Sequence, residues 1–268
     1  MNSNKLIDDS PLLITGAWRS GTTLISRILN NHPDLDVTYD SVHFLRFSLN
    51  KYDPINDRAN VEKLISDTSL RLADRYGFEL SVQETLKNLD GDYSYKAIYS
   101  AIMKTFLLKT SKKKIWGEKT NLAWTKIPDF FDMYPLGRVL HIIRDPRAVL
   151  LSWKKFTNAP GNVYLDSILN CYDSMKLANT YKNEFFDKPY ALITYEDLVS
   201  KPHQTLELVS KIFGIDFDAE MLNTSKFTDL IGKKWEANSI HDENMSGIST
   251  SAINRWKDKL EPWEIYLT

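Results

Sequence analysis

A short segment near the start of the sequence, LLITGAWRSGTT at residues 12–23, combines an apolar run with two glycines and several hydrogen-bond donors. A glycine-containing turn between a strand and a helix directs backbone N–H groups at one point, where the helix dipole adds partial positive charge. Such a turn binds an anion. Arg19, Ser20, Thr22 and Thr23 place side-chain donors at the same position.

The spacing of the two glycines, Gly16-x4-Gly21, matches the phosphate-binding loop of nucleoside-triphosphate enzymes. Thr22, however, stands where that loop carries the lysine that reaches the outer phosphates of a triphosphate. Arg19 supplies an alternative cation inside the loop. The replacement favours a ligand with fewer charges beyond its first phosphate. The alternative is that the glycines only form a tight turn and that Arg19 is a solvated surface residue.

A second motif, RVLHIIRDPRAVLLSW at residues 138–153, contains another group of anion-binding side chains. Arg144 lies at the end of an apolar strand, and Pro146 suits the first turn of the following helix because its missing N–H is not needed there. Ser152 follows Arg144 by eight residues and is reachable across the first turns of that helix. We predict that Arg144 and Ser152 hold a second phosphate.

These two motifs resemble those of the sulfotransferases that use 3′-phosphoadenylyl sulfate (PAPS). The resemblance rests on AWRSGTT at 17–23, RDPRAVLLSW at 144–153, YEDLVSKP at 195–202 and SAINRWKDKL at 251–260. The loop sequence RSGTT is closer to bacterial and tyrosylprotein sulfotransferases than to the cytosolic aryl and steroid enzymes. The resemblance implies a parallel α/β fold and direct in-line transfer of a sulfuryl group from PAPS to a hydroxyl acceptor, without a metal. The other product is adenosine 3′,5′-bisphosphate (PAP).

The resemblance also implies which residues bind the nucleotide, and it explains the missing lysine, because PAP has no polyphosphate tail. Tyr195 matches a nucleotide-contacting tyrosine, although a tyrosine at a strand end is as often a packing residue. The implied nucleotide-binding set is Arg19, Ser20, Gly21, Thr22, Thr23, Arg144, Ser152, Tyr195, Ser239 and Arg255.

Two cations are candidates for stabilising charge on the transferred group. Sulfuryl transfer, like phosphoryl transfer, needs in-line geometry and neutralisation of charge on the bridging and equatorial oxygens. Arg19 lies in the loop, and Lys119 in the segment GEK matches the lysine that follows a short strand in the family. The alternative for Lys119 is a surface lysine beside Glu118.

The base that takes the proton of the acceptor hydroxyl has two candidates. By resemblance to the tyrosylprotein branch, the acidic residue beyond the HP pair in HPDLDVTYD falls on Asp40, where the family more often has glutamate. Its carboxylate is one methylene closer to the backbone. His43 is the competitor, since other sulfotransferases use histidine and a helix starting here would bring positions i and i+3 to one face.

The elements that position these residues alternate between strand and helix, which favours a doubly wound parallel sheet. We predict a single domain, 1–268, with a P-loop-like parallel sheet flanked by helices and a helical insertion at roughly 44–110 that shapes the acceptor side. Predicted strands cover 11–15, 112–118, 138–143 and 190–194. Predicted helices cover 22–31, 124–133, 146–156, 162–186, 201–213 and 256–267.

The composition is that of an ordinary soluble globular protein, with 268 residues of which 43% are hydrophobic. A net charge of −1 argues against nucleic acid or an anionic membrane as partner, because both demand a broad basic field. The single Cys171 excludes an intramolecular disulfide, and the histidines show no metal-binding spacing. Without a signal peptide or an apolar run of membrane length, we expect a cytoplasmic protein.

Two other functions compete with the sulfotransferase reading. A P-loop nucleotide kinase would need magnesium and ATP, and the absent lysine argues against it. A noncatalytic nucleotide-binding protein of the same fold is favoured by aspartate in place of the commoner glutamate at Asp40. The sequence indicates neither an oligomeric state nor which hydroxyl acceptor is used, whether a small alcohol, a sugar, a lipid or a peptide.

Overall fold

A five-stranded parallel sheet forms the centre of the protein, of which the computed structural model describes residues 9–107, 113–157, 163–228 and 248–268. The strands are β1 (Leu12–Gly16), β2 (Leu35–Tyr39), β3 (Ile115–Lys119), β4 (Arg138–Ile143) and β5 (Tyr190–Thr194). The helices are α1 (Thr22–Asn30), α2 (Phe44–Phe47), α3 (Arg58–Tyr76), α4 (Val82–Lys87), α5 (Tyr95–Leu107), α6 (Ile127–Met133), α7 (Pro146–Thr157), α8 (Asp166–Glu184), α9 (Tyr195–Ser200), α10 (Pro202–Phe213) and α11 (Pro262–Tyr266).

The strand order, β2-β3-β1-β4-β5, determines where the connections leave the sheet. The chain leaves β1 toward the β2 edge and leaves β4 toward the β5 edge, and all the neighbouring pairs run parallel. A crevice therefore opens between the carboxyl ends of β1 and β4, where ligands bind in folds of this kind. The predicted α/β fold with a parallel sheet is confirmed.

Apolar side chains cover both faces of the sheet, because successive residues of a strand point to opposite sides. Leu12 and Ile14 of β1 pack with α1, α9 and α10 on one face. Leu13 packs on the other face with the helices between β2 and β3 and with α6 and α8. Buried strands of this type read as continuous apolar runs, which is why β1, β4 and β5 are predictable.

The region between β2 and β3 is helical, as predicted, and contains α2 to α5. Asp57 caps α3 by accepting a hydrogen bond from the Ala59 N–H, and Gly77 ends the helix in the left-handed conformation with φ of 63°. Both are ordinary helix-terminating devices. In the parts of the chain that the structure describes, no helix is long and apolar enough to cross a membrane.

Strand β2 and helix α9 are not among the predicted elements. The segment LDVTY of β2 carries Asp36 and Thr38 between its apolar residues, and both polar side chains are buried. The pattern therefore lacks the apolar run by which a central strand is recognised. Helix α9 lies directly between β5 and α10, with Thr194 as its cap.

The carboxyl-terminal segment differs from the single helix predicted for 256–267. It forms a 3₁₀ turn at Arg255–Asp258 and then α11, which restarts at Pro262. Glu264 is fully buried, and its carboxylate accepts hydrogen bonds from Lys154 Nζ at 2.7 Å and from the Tyr164 hydroxyl at 2.5 Å. These bonds attach the segment to α7, since a buried carboxylate is stable only when it is paired.

The turn at Gly21 requires glycine for two reasons. Its φ is 96°, and a Cβ atom would lie 2.5 Å from a ring carbon of Tyr195. Gly77 also has positive φ but has open space around it.

We predict that Gly77→Ala costs about 1 kcal/mol of unfolding free energy through backbone strain alone. Gly21→Ala should cost at least about 2 kcal/mol because the steric clash is added. Urea unfolding of both variants measures the difference, and equal losses would contradict the tight contact.

Candidate active site

The loop between β1 and α1 leaves the amino terminus of α1 without a side-chain cap. Gly21 occupies the cap position in a left-handed conformation, and the first turn of the helix holds no acidic residue. The first N–H groups of a helix need an external acceptor, which an anion supplies together with a favourable charge for the dipole. Arg19 also has positive φ, 68°, so the loop backbone is held in a strained form.

Arg19 and Arg144 meet beside this loop at the crevice between β1 and β4. Arg19 donates from Nε to Ser152 Oγ at 2.9 Å, and Arg144 donates to the carbonyl oxygens of Arg19 at 2.8 Å and Ala252 at 3.2 Å. All these acceptors are neutral. Burial, and then the positive charge of Arg144, lower the pKa of Arg19. Two partly buried guanidinium groups with neutral acceptors favour an anionic ligand between them.

Tyr195 forms one wall of the same crevice. Its ring lies against Gly21, and the Arg144 guanidinium stacks on it with 4.0 Å between Cζ and the ring centroid. Stacking on an aromatic face fixes the plane of a guanidinium and so fixes the direction of its donors. Tyr195 therefore packs against Gly21 and orients Arg144.

Lys119, which is buried, and Asp40, whose side chain is partly exposed, form an ion pair at the ends of β3 and β2. Tyr39 pairs with Lys119 in the parallel ladder, and the Asp40 N–H donates to the Lys119 carbonyl at 3.1 Å. Lys119 Nζ then lies 2.7 Å from Asp40 Oδ2. Only 1% of the Lys119 side chain is exposed, so it is not the surface residue of the alternative interpretation.

Two opposing effects set the charge state of Lys119. Burial lowers its pKa, because it disfavours the ammonium form, whereas the nearby Asp40 carboxylate raises it. The desolvation effect is the larger, so the pKa lies below that of an exposed lysine. The ammonium is therefore a poorly hydrated cation, and such a cation acts strongly on charge that develops beside it.

A turn, and not the face of a helix as predicted, brings His43 close to Asp40. Asp40 and His43 have φ of 48° and 51°, and His43 precedes the first residue of α2. His43 Nε2 lies 3.8 Å from Asp40 Oδ1. Burial lowers the pKa of His43, which keeps its imidazole neutral near pH 7.

Glu118 holds this turn in position from beneath. Its fully buried carboxylate accepts hydrogen bonds from the His43 N–H at 2.6 Å, the Ser41 hydroxyl at 3.1 Å and the Tyr99 hydroxyl at 2.6 Å. Burial and the charge of Glu118 hold the pKa of Tyr99 well above its usual value, so its hydroxyl stays protonated and donates. Three donors compensate for the removal of the carboxylate from water.

The two arginines, Tyr195, Lys119, Asp40 and His43 border one cleft of about 820 Å³, a volume typical of ligand sites, whereas Glu118 and Tyr99 are not among its lining residues. Of the residues predicted from the sequence, the cleft is lined by Arg19, Gly21, Thr22, Thr23, Asp40, His43, Lys119, Arg144, Ser152, Tyr195 and Arg255. Seven lining residues are arginine or lysine, and two are aspartate. In the parts of the chain that the structure describes, no group of at least three His, Cys, Asp or Glu side chains could hold a metal ion.

The structure gives Ser20 a different role from the predicted side-chain donor to the ligand. Its hydroxyl and its backbone N–H both donate to the Ala17 carbonyl, and the residue does not border the cleft. Ser20 thus closes the loop on itself. Ser239 lies outside the described residues.

Asn121 and three arginines are among the residues that line the cleft but were not predicted as site residues. Asn121 accepts a hydrogen bond from the Thr22 hydroxyl at 2.8 Å and so connects the segment after β3 to the loop after β1. The sequence could have indicated Asn121, because this residue follows the end of β3 by two positions and the carboxyl ends of parallel strands meet at one edge of the sheet. The three arginines come from α2 and α3, and their spacing in the sequence does not indicate a binding site. They are Arg46, Arg71 and Arg75.

Together, the parallel sheet and the cleft at its carboxyl edge define an α/β protein with a cleft lined by seven arginine and lysine side chains. The model of the sulfotransferase family matches residues 11–219, which is most of the chain. The chain therefore belongs to the sulfotransferase family. No match was found among curated protein sequences.

Solved sulfotransferase structures share the fold of this chain. The sulfotransferase domain of the Synechococcus PCC 7002 olefin synthase is 19% identical with a TM-score of 0.63, covering 99% of this chain and 95% of that one. The sulfotransferase domain from the curacin biosynthetic pathway is 18% identical with a TM-score of 0.58, covering 94% and 92%. Mouse sulfotransferase SULT7A1, solved in complex with PAP, is 14% identical with a TM-score of 0.52, covering 99% and 87%.

The bonds to Glu118 predict that its charge stabilises the turn at residues 40–43. Glu118→Gln replaces charge-assisted bonds with neutral ones and sets an amide N–H against a former donor, so we expect a loss of about 1–3 kcal/mol in unfolding free energy. Glu79→Gln, at an exposed glutamate after α3, is the matched control and should change stability by less than about 0.5 kcal/mol. Urea unfolding compares the two, and equal stabilities would show that the carboxylate is not needed.

Proposed function

We propose that the protein transfers a sulfuryl group from PAPS to a hydroxyl group of an acceptor by direct in-line attack, with PAP as the other product. One observation carries this proposal. A single cleft joins an uncapped helix amino terminus and two arginines bonded to neutral acceptors with the ion pair of Lys119 and Asp40. Membership of the sulfotransferase family and a PAP-bound neighbour of the same fold support it.

The cleft offers separate positions for the two phosphates of PAP. We assign the 5′-phosphate to the amino terminus of α1 with Arg19, Thr22 and Thr23, which border the cleft there. We assign the 3′-phosphate to Arg144 and Ser152. The hydrogen bond from Arg19 to Ser152 connects the two positions. Arg255 borders the cleft from the carboxyl-terminal segment and adds a third guanidinium to this half.

Lys119 is the group that we assign to charge stabilisation during transfer. PAPS supplies an activated sulfuryl group, whose transfer leaves negative charge on the departing phosphate. Lys119 is the most deeply buried of the lining cations, at 1% exposure, and so acts through a low local dielectric. Its partner Asp40 neutralises it while the cleft holds no anion. A ligand anion competes with Asp40 for the ammonium.

Asp40 is the residue that we assign as general base. It is held at the end of β2 beside Lys119, so the proton acceptor and the cation lie in the same part of the cleft. An anion that approaches Lys119 would weaken the ion pair and leave the Asp40 carboxylate free to face the acceptor hydroxyl. His43 stands next to it as a neutral imidazole whose Nδ1 is buried, with no hydrogen-bond partner among the described residues. We assign His43 to positioning Asp40.

The assignment of Arg144 to the 3′-phosphate predicts a selective loss of affinity. Wild-type protein should bind PAP more tightly than AMP or ATP in isothermal titration. Arg144→Ala should weaken PAP binding by about 10- to 100-fold, the equivalent of charge-assisted hydrogen bonds, and change AMP binding little because AMP lacks a 3′-phosphate.

A neighbouring arginine provides the control for this experiment. Arg147 pairs with Asp145 at 2.8 Å and does not border the cleft, so Arg147→Ala should bind PAP like wild type. Equal weakening of PAP and AMP by Arg144→Ala would remove Arg144 from the 3′-phosphate position. A wild-type protein without preference for PAP over ATP and AMP would contradict the proposed function itself.

The assignment of the base predicts different losses for Asp40 and His43. Asp40→Asn keeps the side-chain size and removes the proton acceptor, so kcat should fall by about 10²- to 10⁴-fold. His43→Gln should lower kcat by less than about tenfold, since it disturbs only the position of Asp40. Rates are measured with labelled PAPS and the best hydroxyl acceptor of a screen, at saturating donor. The reverse order of losses would make His43 the base.

A further inference from the structure

Three arginines that line the cleft come from outside the segments that supply the proposed donor site. Arg46 belongs to α2, and Arg71 and Arg75 lie one turn apart on α3, so all three come from the helical region between β2 and β3. The proposed donor site takes its cations from the sheet edge and the carboxyl-terminal segment instead. The helical arginines are therefore left for the acceptor, and the part of the cleft that they line is called its acceptor half.

These arginines are held in place mostly by neutral partners. Arg71 donates to the hydroxyls of Thr68 at 2.9 Å and Ser48 at 3.2 Å. Arg46 approaches the carbonyl oxygen of Asn121 at 3.4 Å. Neither forms an ion pair among the described residues. Their side chains are fixed, and the carboxylates that act on their charges, Asp40 on Arg46 and Asp67 on Arg71, do so without ion-pair contact.

Aromatic contacts add to this fixation. The guanidinium carbons of Arg46 and Arg71 lie 5.1 Å and 5.7 Å from the centroid of the Phe47 ring, and Arg46 also lies 5.8 Å from the Trp18 ring. A guanidinium group that is held over an aromatic ring keeps the N–H donors at its own edge available to other acceptors. Such a fixed set of donors matches the planar oxygens of a carboxylate or the oxygens of a phosphate.

Arg75 connects this cluster to the reacting groups. Its guanidinium lies 3.7 Å from Asp40 Oδ2, the oxygen that also contacts Lys119. Within the described residues, Asp40 is the carboxylate that pairs with this cluster, and it already neutralises Lys119. Asp74 borders the cleft as well, so two aspartates face the three arginines and Lys119. The acceptor half therefore keeps an excess of positive charge that a ligand anion would balance.

We propose that the acceptor is an anionic alcohol, with a carboxylate or phosphate group bound by Arg46, Arg71 and Arg75 close to the hydroxyl that is sulfated at Asp40. This proposal rests on the proposed sulfotransferase function and narrows its acceptor class. The distance from Arg75 to Asp40 places the anionic group near the hydroxyl, which favours short spacers. Among the described residues, a neutral alcohol would leave Arg46 and Arg71 without a carboxylate in ion-pair contact.

Binding of matched probes to the protein saturated with PAP tests the proposal without requiring turnover. The probes are short-chain hydroxy acids, their neutral methyl esters and the corresponding alcohol monophosphates, each followed by isothermal titration. The acids or the monophosphates should bind at least about tenfold more tightly than the esters, because charge-assisted bonds to arginine are lost in the ester. The tighter series identifies which anion the site takes.

Two variants then assign the preference to the cluster. Arg71→Gln should abolish the preference for the anionic probes, and PAP affinity should stay within about twofold of wild type. Because Arg71 also bonds Thr68 and Ser48, Arg75→Gln, at a half-exposed side chain, is the second variant. Arg58→Gln is the matched control, since Arg58 lies on the same helix, pairs with Glu62 and does not border the cleft.

Each outcome supports or overturns the proposal. Equal affinities for the acids, the monophosphates and the esters would overturn it, as would an anion preference that persists in both variants. A loss of PAP affinity in Arg75→Gln with unchanged probe binding would assign the cluster to the donor instead. Failure of the wild-type protein to bind PAP at all would contradict the proposed function and is recognised before any probe is added.

Discussion

The pairing of β2 with β3 is the constraint on which the rest of the site depends. It places Asp40 directly after a strand whose last residue is in register with Lys119, and the Asp40 N–H donates to the Lys119 carbonyl. Lys119 is buried too deeply to be hydrated, so the Asp40 carboxylate at 2.7 Å takes the place of water. If the pairing of β2 with β3 slipped by one residue, the side chains of Asp40 and Lys119 would point to opposite faces of the sheet. The buried charge of Lys119 would then be uncompensated.

Backbone strain is concentrated around this ion pair. Arg19, Asp40, His43 and Leu122 all have positive φ, which costs about 1–3 kcal/mol for each such residue. The residues follow β1, β2 and β3, at the edge where the cleft opens. The buried Glu118 carboxylate and the sheet hold these turns in a form that the local sequence alone would not adopt. Strain held in this way keeps the cations and the carboxylate in place before a ligand arrives.

The residues of the proposed donor site were largely predictable from the sequence, and those of the proposed acceptor site were not. Gly21 lies in the glycine-containing loop after β1, and Arg144 directly follows β4, where apolar strand patterns indicate the element. Lys119, at the end of β3, was located by resemblance to the sulfotransferases. The alternation of strands and helices likewise indicated the parallel sheet. His141 lies in the buried part of β4, and its two ring nitrogens contact Tyr190 and Ser174 at 3.0 Å and 2.8 Å.

What was missed depends on contacts between distant parts of the chain. Strand β2 was obscured by its buried polar residues, and with it the register that pairs Asp40 with Lys119. The sequence indicated no role for Glu118, because only the fold brings Tyr99 and the turn at His43 to its carboxylate. The helical arginines have ordinary amphipathic spacing, and their convergence follows from how α2 and α3 pack on the sheet.

The two halves of the cleft are built from different layers of the fold, so the half proposed to face the acceptor can change independently of the half proposed to bind the donor. The proposed donor site uses the sheet edge, the amino terminus of α1 and the turn before α7, which are tied to the core through β1 and β4. The proposed acceptor site uses α2 and α3, which lie in one connection between β2 and β3. Substitutions in that connection can alter the charge facing the acceptor while Arg19, Arg144 and the ladder that aligns Asp40 with Lys119 stay unchanged. In a chain whose net charge is only −1, the positive charge of the cleft is therefore a local property, and on the proposed function its acceptor half is the part that is free to vary.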